Sequence, residues 1–486
     1  MNAASPTFRT PFRLVLSCGL AACFALSCAT LAASVPTDEV DRYLEAQLKK
    51  QDIPGLALAV AREGKVVKAK GYGLADVELN VPATERTVFQ WASVTKQFTA
   101  TAIMLLAREG KLKLDEPVSR LYPEAPAAWS NVTVRHLLTH TSGLKSYTSL
   151  PEFNTTLRKD YRPAELIGLV KDRPLDFTPG AKWDYCNTGY YLLGLMVEKA
   201  SGQSYGDFLA ARIFGPLGME TARVNHQFDI ITNRATGYEY RTNRLWRAEF
   251  VSPTQPFSAG ALVGTALDLA KWDAALYTDK LLPRAALEEM WTPVKLNSGE
   301  TAPYGYGWQL GELRGHPYVG HGGGINGFTS FILRLVKDKL TVIVLVNSGS
   351  GNPQSLATGV AGRYLTGLTL STLPTQPDND TKLSARLQRC LVELAEKKDS
   401  ELLTPGFREN FSNSRRRHAA LRSDMEKLKA FTFMREETPE TNQRQIRGTP
   451  IQRLRHYKLQ TEAETRFYTF ALTPDEQVAM VQASEE

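Results

Sequence analysis

Cysteine is scarce in this sequence: five in 486 residues, and three of them, Cys18, Cys23 and Cys28, fall within the first 33. The two that remain, Cys186 and Cys390, lie far apart in different regions of the chain. They cannot build a disulfide framework, and no cysteine or histidine spacing matches a metal site. An excess of charge of one sign is also missing. Lysine and arginine number 58 against 51 aspartate and glutamate, a formal charge of +7 with both signs mixed along the chain. That balance reads as a solvated surface and excludes a nucleic-acid partner; the short run Arg415, Arg416, Arg417 reads as a helix face. With 43% hydrophobic and 22% charged residues the composition is that of a folded globular protein. Neither a metal nor an organic cofactor is expected.

A long apolar run is absent except near the N-terminus. Arg9 and Arg13 precede an apolar stretch from Leu14 to Ala33, broken by Cys, Ser and Gly. Positive residues, a moderately apolar run and a small-residue end have the form of an export signal over residues 1–33. Leu20, Ala21, Ala22, Cys23 also has the form of a lipoprotein signal, which would attach the chain to a membrane by lipidation at Cys23. The expected location is therefore outside the cytoplasm, periplasmic or secreted, with or without a lipid anchor. At this length more than one domain is expected. A catalytic-size region spans 34–370, turn-forming residues over 371–380 have linker composition, and 381–486 reads as helices followed by strands, a small α+β domain.

Ser93 and Lys96 are the most informative pair. They open a segment with helical apolar spacing (Phe98, Ala102, Ile103, Leu105, Leu106) that Gly110 terminates, which predicts an amphipathic helix. Residues three apart share a helix face, so a serine hydroxyl and a lysine amine can meet there. Serine becomes a nucleophile when a base takes its proton, and a lysine of lowered pKa is such a base. The same spacing recurs at Ser142 and Lys145, but Gly143 breaks helical continuity and no apolar period follows.

Tyr185 and Asn187 form a second pair, ahead of an apolar helix from about Tyr190 to Lys199. A phenol beside a lysine ammonium becomes easier to ionise, and could shuttle a proton to a leaving group. Cys186 between them reads as a small, partly buried spacer. His321 with Gly322, Gly323 and Gly324 forms the third group, ahead of strand-like segments Thr329–Val336 and Leu340–Asn347. Glycines beside a strand edge let a substrate backbone come close.

These three groups, in this order, resemble the serine β-lactamase and penicillin-binding-protein superfamily, on its branch of class C β-lactamases, DD-peptidases, D-aminopeptidases and esterases. Ser93/Lys96, Tyr185/Asn187 and His321/Gly323 fill its Ser-x-x-Lys, Tyr-x-Asn and Lys/His-x-Gly positions. Phrases at His136–Leu144, Ser258–Thr265 and Tyr304–Trp308 agree, and the likeness covers roughly residues 37–368. It implies an α/β three-layer sandwich, an antiparallel sheet flanked by helices, with an inserted all-α region. It further implies acyl transfer through Ser93, proton transfer by Lys96 and Tyr185, and an oxyanion hole from the backbone N–H groups of Ser93 and Gly324. Asn187 would hold Lys96 and a substrate amide. The C-terminal region resembles the cystatin/NTF2-like appendages of such hydrolases.

The departure from the pattern is His321, where β-lactamases carry lysine. Histidine is mostly neutral at pH 7. That points to a small-molecule ester or a D-amino-acid peptide as substrate ahead of a β-lactam, with activity on carboxylate-bearing substrates expected to rise as His321 gains a proton. A class C-like β-lactamase or penicillin-binding protein, and a catalytically idle scaffold on the same fold, are the alternatives.

Overall fold

The computed structural model describes residues 38–412, 415–439, 445–446, 448–462 and 465–484. The export-signal reading of residues 1–33 and the lipidation reading of Cys23 lie outside them. No helix among the described residues is long and apolar enough to cross a membrane.

A sheet is assembled from the two ends of the region expected to be catalytic. Its strands are β1 (Gly55–Arg62), β2 (Lys65–Asp76), β3 (Val81–Pro82), β4 (Gln309–Leu313), β5 (His316–Ile325), β6 (Phe328–Leu335) and β7 (Leu340–Val346). They run in the order β4-β5-β6-β7-β1-β2-β3, and every pairing is antiparallel. The β1–β2 hairpin turns at Glu63 and Gly64, both at positive φ (53° and 74°), as a two-residue turn with the twist of its strands requires.

Alternation along β1 explains the layers. Leu56, Leu58 and Val60 face one apolar cluster, completed by helix α1 (Glu39–Lys50) and by the helix Pro353–Gly362. Ala57 and Ala59 face the other cluster, where the small side chains admit the helix Ala266–Ala275 close to the sheet. Between β3 and β4 the chain is largely helical. The fold is the α/β sandwich with an inserted helical region that the sequence led us to expect. Helix α2 (Thr95–Arg108) departs from expectation. It is not amphipathic but buried on every side from Thr95 to Leu106, because it runs through the middle of the helical region.

The remaining long helices are α3 (Asn187–Ser201), α4 (Ala266–Ala275) and α5 (Pro353–Gly362), followed by α6 (Thr381–Ala395), α7 (Pro405–Ser412) and α8 (Arg415–Glu426). The last three precede a second antiparallel sheet of β8 (Leu428–Glu437), β9 (Arg453–Thr461), β10 (Thr465–Leu472) and β11 (Val478–Ser484), in that order. This sheet and its helices share an apolar cluster of their own, including Leu387, Leu391, Tyr457 and Phe470. From Glu39 to Glu486 the chain is one compact unit. The segment with linker composition is tied into it. Leu373 packs with Leu370, Met434 and Phe467, and the Gln376 N–H donates to the Met434 carbonyl at 2.6 Å. Asp378 pairs with Arg455 at 2.6 Å. Turn-forming residues set its path, not its freedom.

Asp273 of α4 and Arg334 of β6 form a fully buried ion pair that pins this helix to the sheet. Thr341 donates to the same carboxylate at 2.8 Å, and the rings of Tyr277, Trp291 and Trp308 surround the guanidinium at 5.0–5.7 Å. Removing one member leaves the other charge buried and unpaired. Asp273→Ala should cost about 3–5 kcal/mol, whereas Arg284→Ala, which breaks an exposed pair with Glu288, should cost under ~1 kcal/mol. Urea unfolding midpoints compare the two; equal shifts would show that the buried pair does not hold the helix.

Candidate active site

Ser93 is the one residue between Trp91 and Ala100 that is not buried. It sits in a short 3-10 turn, Ala92–Val94, that runs directly into α2. That turn is stapled to its surroundings. The Trp91 N–H donates to the Leu262 carbonyl at 2.9 Å, the Trp91 indole donates to the Gly264 carbonyl at 3.1 Å, and Ser330 of β6 donates to the Trp91 carbonyl at 2.8 Å. Ala92 has φ +47°, a strained value that this over-determined turn imposes. Gly323 has to be glycine here, since a Cβ would lie 2.2 Å from the Trp91 carbonyl oxygen.

Lys96 is the second residue of the buried helix α2 and has no exposed surface. Its Nζ is 3.1 Å from Ser93 Oγ, 2.9 Å from Asn187 Oδ1 and 2.7 Å from the Ala259 carbonyl oxygen. The ring of Tyr185 lies 4.7 Å away and that of Tyr190 5.4 Å away. Burial without a carboxylate partner lowers the lysine pKa well below its usual value. A neutral amine has two N–H groups and one lone pair. Asn187 and Ala259 can offer only acceptors to it, so the lone pair is left for the Ser93 hydroxyl.

Asn187 is the first residue of α3, and its own contacts fix its amide. Its backbone N–H donates to Ser146 Oγ at 3.1 Å and its Nδ2 to Thr148 Oγ1 at 3.0 Å, which leaves Oδ1 facing Lys96. Burial dominates at Tyr185 and raises the phenol above its usual pKa, against the opposing effect of the Ser93 side chain beside it.

The glycine run is the end of strand β5. Strand β4 pairs only with His316–Gly320, so the edge from His321 onward is open on that side. The Gly322 N–H points out of this edge to Gln309 Oε1 at 3.3 Å. Alternate N–H groups of a strand share an edge, so the Gly324 N–H points the same way, beyond the end of β4. Two cavities meet here, both lined by Ser93 and Gly324. One of about 430 Å³ includes Tyr185, Gln309 and His321; the other, about 210 Å³, includes Tyr147, Phe153 and Val251. An activated hydroxyl, a proton acceptor and a free backbone donor thus face one cleft, an arrangement suited to attack on a carbonyl.

Comparison with known proteins gives the same reading. The family model described as Beta-lactamase matches residues 40–363. Penicillin-binding protein 4* of Bacillus subtilis (strain 168) is 34% identical over 315 residues, covering 62% of this chain and 69% of that protein. A D-aminopeptidase of Gluconobacter oxydans (strain 621H) is 28% identical over 343 residues, covering 70% and 63%. The match thus spans about two thirds of the length of these curated relatives. Among solved structures, the octameric penicillin-binding protein homologue from Pyrococcus abyssi superposes with a TM-score of 0.62 at 23% identity, over 93% of this chain and 99% of that one, a likeness of fold.

The chain belongs to the Beta-lactamase family. It is a serine hydrolase.

The structure of this hydrolase brings Ser93, Lys96, Tyr185, Asn187, His321, Gly323 and Gly324 together, but it corrects two expectations about their charge. The phenolate expected of Tyr185 is disfavoured, since burial raises its pKa and lowers that of the neighbouring amine that was to favour it. His321 is no cation either. It is buried, its Nε2 lies 2.9 Å from the Tyr304 hydroxyl, and its Nδ1 lies 2.6 Å from the Gly322 carbonyl. With Nδ1–H donating to the carbonyl and Nε2 accepting from tyrosine, both nitrogens are satisfied in the neutral ring. Burial pushes its pKa down to about 3. The expectation that a protonated His321 reads a substrate carboxylate therefore falls.

The alternative pair is taken apart. Lys145 is bound to Asp176, and Ser142 is buried with its oxygen accepting the Leu144 N–H. Cys186 donates its S–H to the Leu144 carbonyl at 3.2 Å, and burial pushes its thiol up to about 11, so it is a spacer and not a nucleophile. Reading the sequence missed Ala259, Ser146 and Thr148 as partners of the lysine–asparagine pair. It also missed His140, whose Nδ1 accepts the Cys186 N–H at 3.1 Å while its ring packs 4.3 Å from that of Tyr185. The phrases containing Ala259 and His140 carried the family resemblance without revealing a role.

A group with a pKa near 3 is uncharged throughout pH 5–8. Of the seven histidines, His321 should therefore show no titration of its ring resonances by NMR over that range. A midpoint near the ordinary value of about 6.5 would contradict the buried, tyrosine-bound ring.

Proposed function

We propose that this serine hydrolase is an exported enzyme that cleaves esters and the amide bonds of D-amino-acid peptides through an acyl-enzyme on Ser93. The observation that carries the reading is the Lys96 amine, its pKa lowered by burial and its Nζ 3.1 Å from Ser93 Oγ. Lys96 takes the serine proton as Oγ forms a bond to the substrate carbonyl carbon. The developing oxyanion accepts from the N–H groups of Ser93 and Gly324; a single such donor is worth roughly 10² to 10³ in kcat. The neutral Tyr185 hydroxyl passes a proton to the leaving alcohol or amine as its bond to the acyl carbon breaks, and takes in its place the proton that Lys96 removed from Ser93, so that the phenol and the amine both return to their starting state. Water then adds to the acyl carbon, gives up a proton along the same path, and Oγ leaves with its proton restored.

The substrate class follows from what lines the cleft. Neither lysine nor arginine is among the described residues of the larger cavity, and His321 is neutral. A site without a cation gives a substrate carboxylate no partner, which favours neutral esters and amides over the carboxylate-bearing β-lactams. The D-aminopeptidase relative supports D-amino-acid substrates. Export is proposed from the residues of 1–33 alone.

A fluorophosphonate should give a single adduct that maps to Ser93 by mass spectrometry and disappears in Ser93→Ala. Lys96→Ala should lower kcat by about 10² to 10⁴ with little change in folding. Side by side, p-nitrophenyl esters and D-alanine p-nitroanilide should turn over at least ~10 times faster than a chromogenic cephalosporin, a gap of about 1.4 kcal/mol. An adduct on Ser142, or preferred turnover of the cephalosporin, would refute the assignment.

A further inference from the structure

The cleft at Ser93 adjoins a much larger space. Asn352 and Gln354, at the start of α5, line the cavity of about 430 Å³ at the nucleophile and also a second cavity of about 960 Å³. One wall of the second cavity comes from the catalytic region: Arg314 in the β4–β5 turn, then Ser355 and Thr358 of α5. The facing wall belongs to the C-terminal sheet, through Arg435, His456, Thr469 and Gln482. Pockets that bury a whole drug-sized ligand run to about 1,000 Å³, so this volume is far beyond what one scissile bond needs.

The chemistry of the walls narrows the occupant. The basic groups of the walls meet a single carboxylate. Arg314 bonds to both carboxylate oxygens of Glu437 at 2.9 and 2.8 Å, Arg435 lies 2.8 Å from the same group, and His456 Nε2 lies 3.0 Å from it. The remaining lining mixes hydroxyls and side-chain amides on exposed positions, such as Gln354, Ser355 and Gln482, with apolar side chains such as Leu313, Leu454 and Met480 and with the carboxylate of Glu312. Carboxylates beside the arginines make this a poor site for a polyanion, and the many hydrogen-bonding groups make it a poor site for a lipid tail. Hydrogen-bonding and apolar groups side by side suit a chain that alternates amide groups with side chains along its length. Strand β11, which carries Gln482 and Ser484, is also the last strand of its sheet, the usual position for an extended peptide to bind.

The arrangement also explains why the C-terminal domain docks where it does. The Arg314–Glu437 contact holds it against the turn of β4–β5, and the other end of β5 carries His321 to Gly324. The wall of the large cavity and the wall of the catalytic cleft are thus two ends of one hairpin.

We propose that the cavity between the two sheets binds the remainder of a peptide substrate whose scissile bond lies at Ser93, so that the C-terminal domain selects for chain length. This inference rests on Ser93 being the nucleophile. The test separates the two by measuring binding without turnover. Calorimetry on full-length Ser93→Ala would compare oligo-alanine peptides that begin with D-alanine, a dipeptide and a pentapeptide. The pentapeptide should bind about tenfold more tightly, some 1.4 kcal/mol. Thr358→Trp on one wall and Gln482→Trp on the other, each added to Ser93→Ala, should erase that gain and leave dipeptide affinity unchanged. In the wild-type background each should leave hydrolysis of a short p-nitrophenyl ester unaltered, which doubles as the check on folding. Equal affinities for the two peptides, a gain that survives both tryptophans, or tighter binding of heparin or anionic phospholipid vesicles than of the pentapeptide would overturn the proposal. Loss of fluorophosphonate labelling at Ser93 would instead refute the nucleophile and leave the binding result standing.

Discussion

The burial of one lysine governs this site. An amine without exposed surface and without a carboxylate beside it is costly to charge, so burial holds the Lys96 pKa well below the usual lysine value, and the site uses the result. Each partner comes from a different part of the chain: Ser93 from the turn before α2, Asn187 from the start of α3, Ala259 from the short helix Phe257–Gly260. The burial that shifts the pKa requires α2 to be enclosed on all sides, which in turn requires the inserted helical region. The backbone is strained where these segments converge. Ala92, His140 and Phe257 all hold positive φ without being glycine: Ala92 precedes Ser93, His140 accepts the Cys186 N–H, and Phe257 lies two residues before Ala259.

Much of this was legible in the sequence, and for physical reasons. Ser93 stood apart from Ser142 because helical apolar spacing follows only the first. Strand periodicity at both ends of the catalytic region, with helices between, implied a single sheet closed by distant segments, and β1 does pair with β7. Strand β5 was harder to see. Its glycines carry no side-chain pattern, so the run was placed ahead of the strand-like segments when it is itself part of a strand, with one open edge. The all-round burial of α2 was hidden because Thr95, Thr99 and Thr101 look polar. In the fold, Thr99 and Thr101 bond to backbone carbonyls inside the core and Thr95 accepts the Leu262 N–H.

Charge states were the least legible feature. Residue types suggested a lysine of lowered pKa, a tyrosine made acidic by a lysine ammonium, and a titrating histidine. Burial agrees with the first and reverses the other two: the lysine pKa is lowered, the phenol resists ionisation, and the imidazole is locked neutral between Tyr304 and its neighbouring carbonyl. A sequence names the ionisable groups but not the solvent each one has lost. The C-terminal region follows a similar logic. Its residues looked like an appendage on a linker, yet Asp378 and Glu437 tie it to arginines on both sides of the junction.

The neutrality of Lys96 is the claim on which the mechanism stands. It is tested most directly by the rate at which a fluorophosphonate acylates Ser93 as a function of pH, corrected for hydrolysis of the reagent. If burial lowers the lysine pKa, the rate should reach its plateau well before the ordinary lysine value, and should fall only on the acid side of that plateau, where the amine regains its charge. A rate that climbs about tenfold per pH unit toward the ordinary lysine value of about 10.4 would show that Lys96 is a cation in the resting enzyme, and would contradict the account.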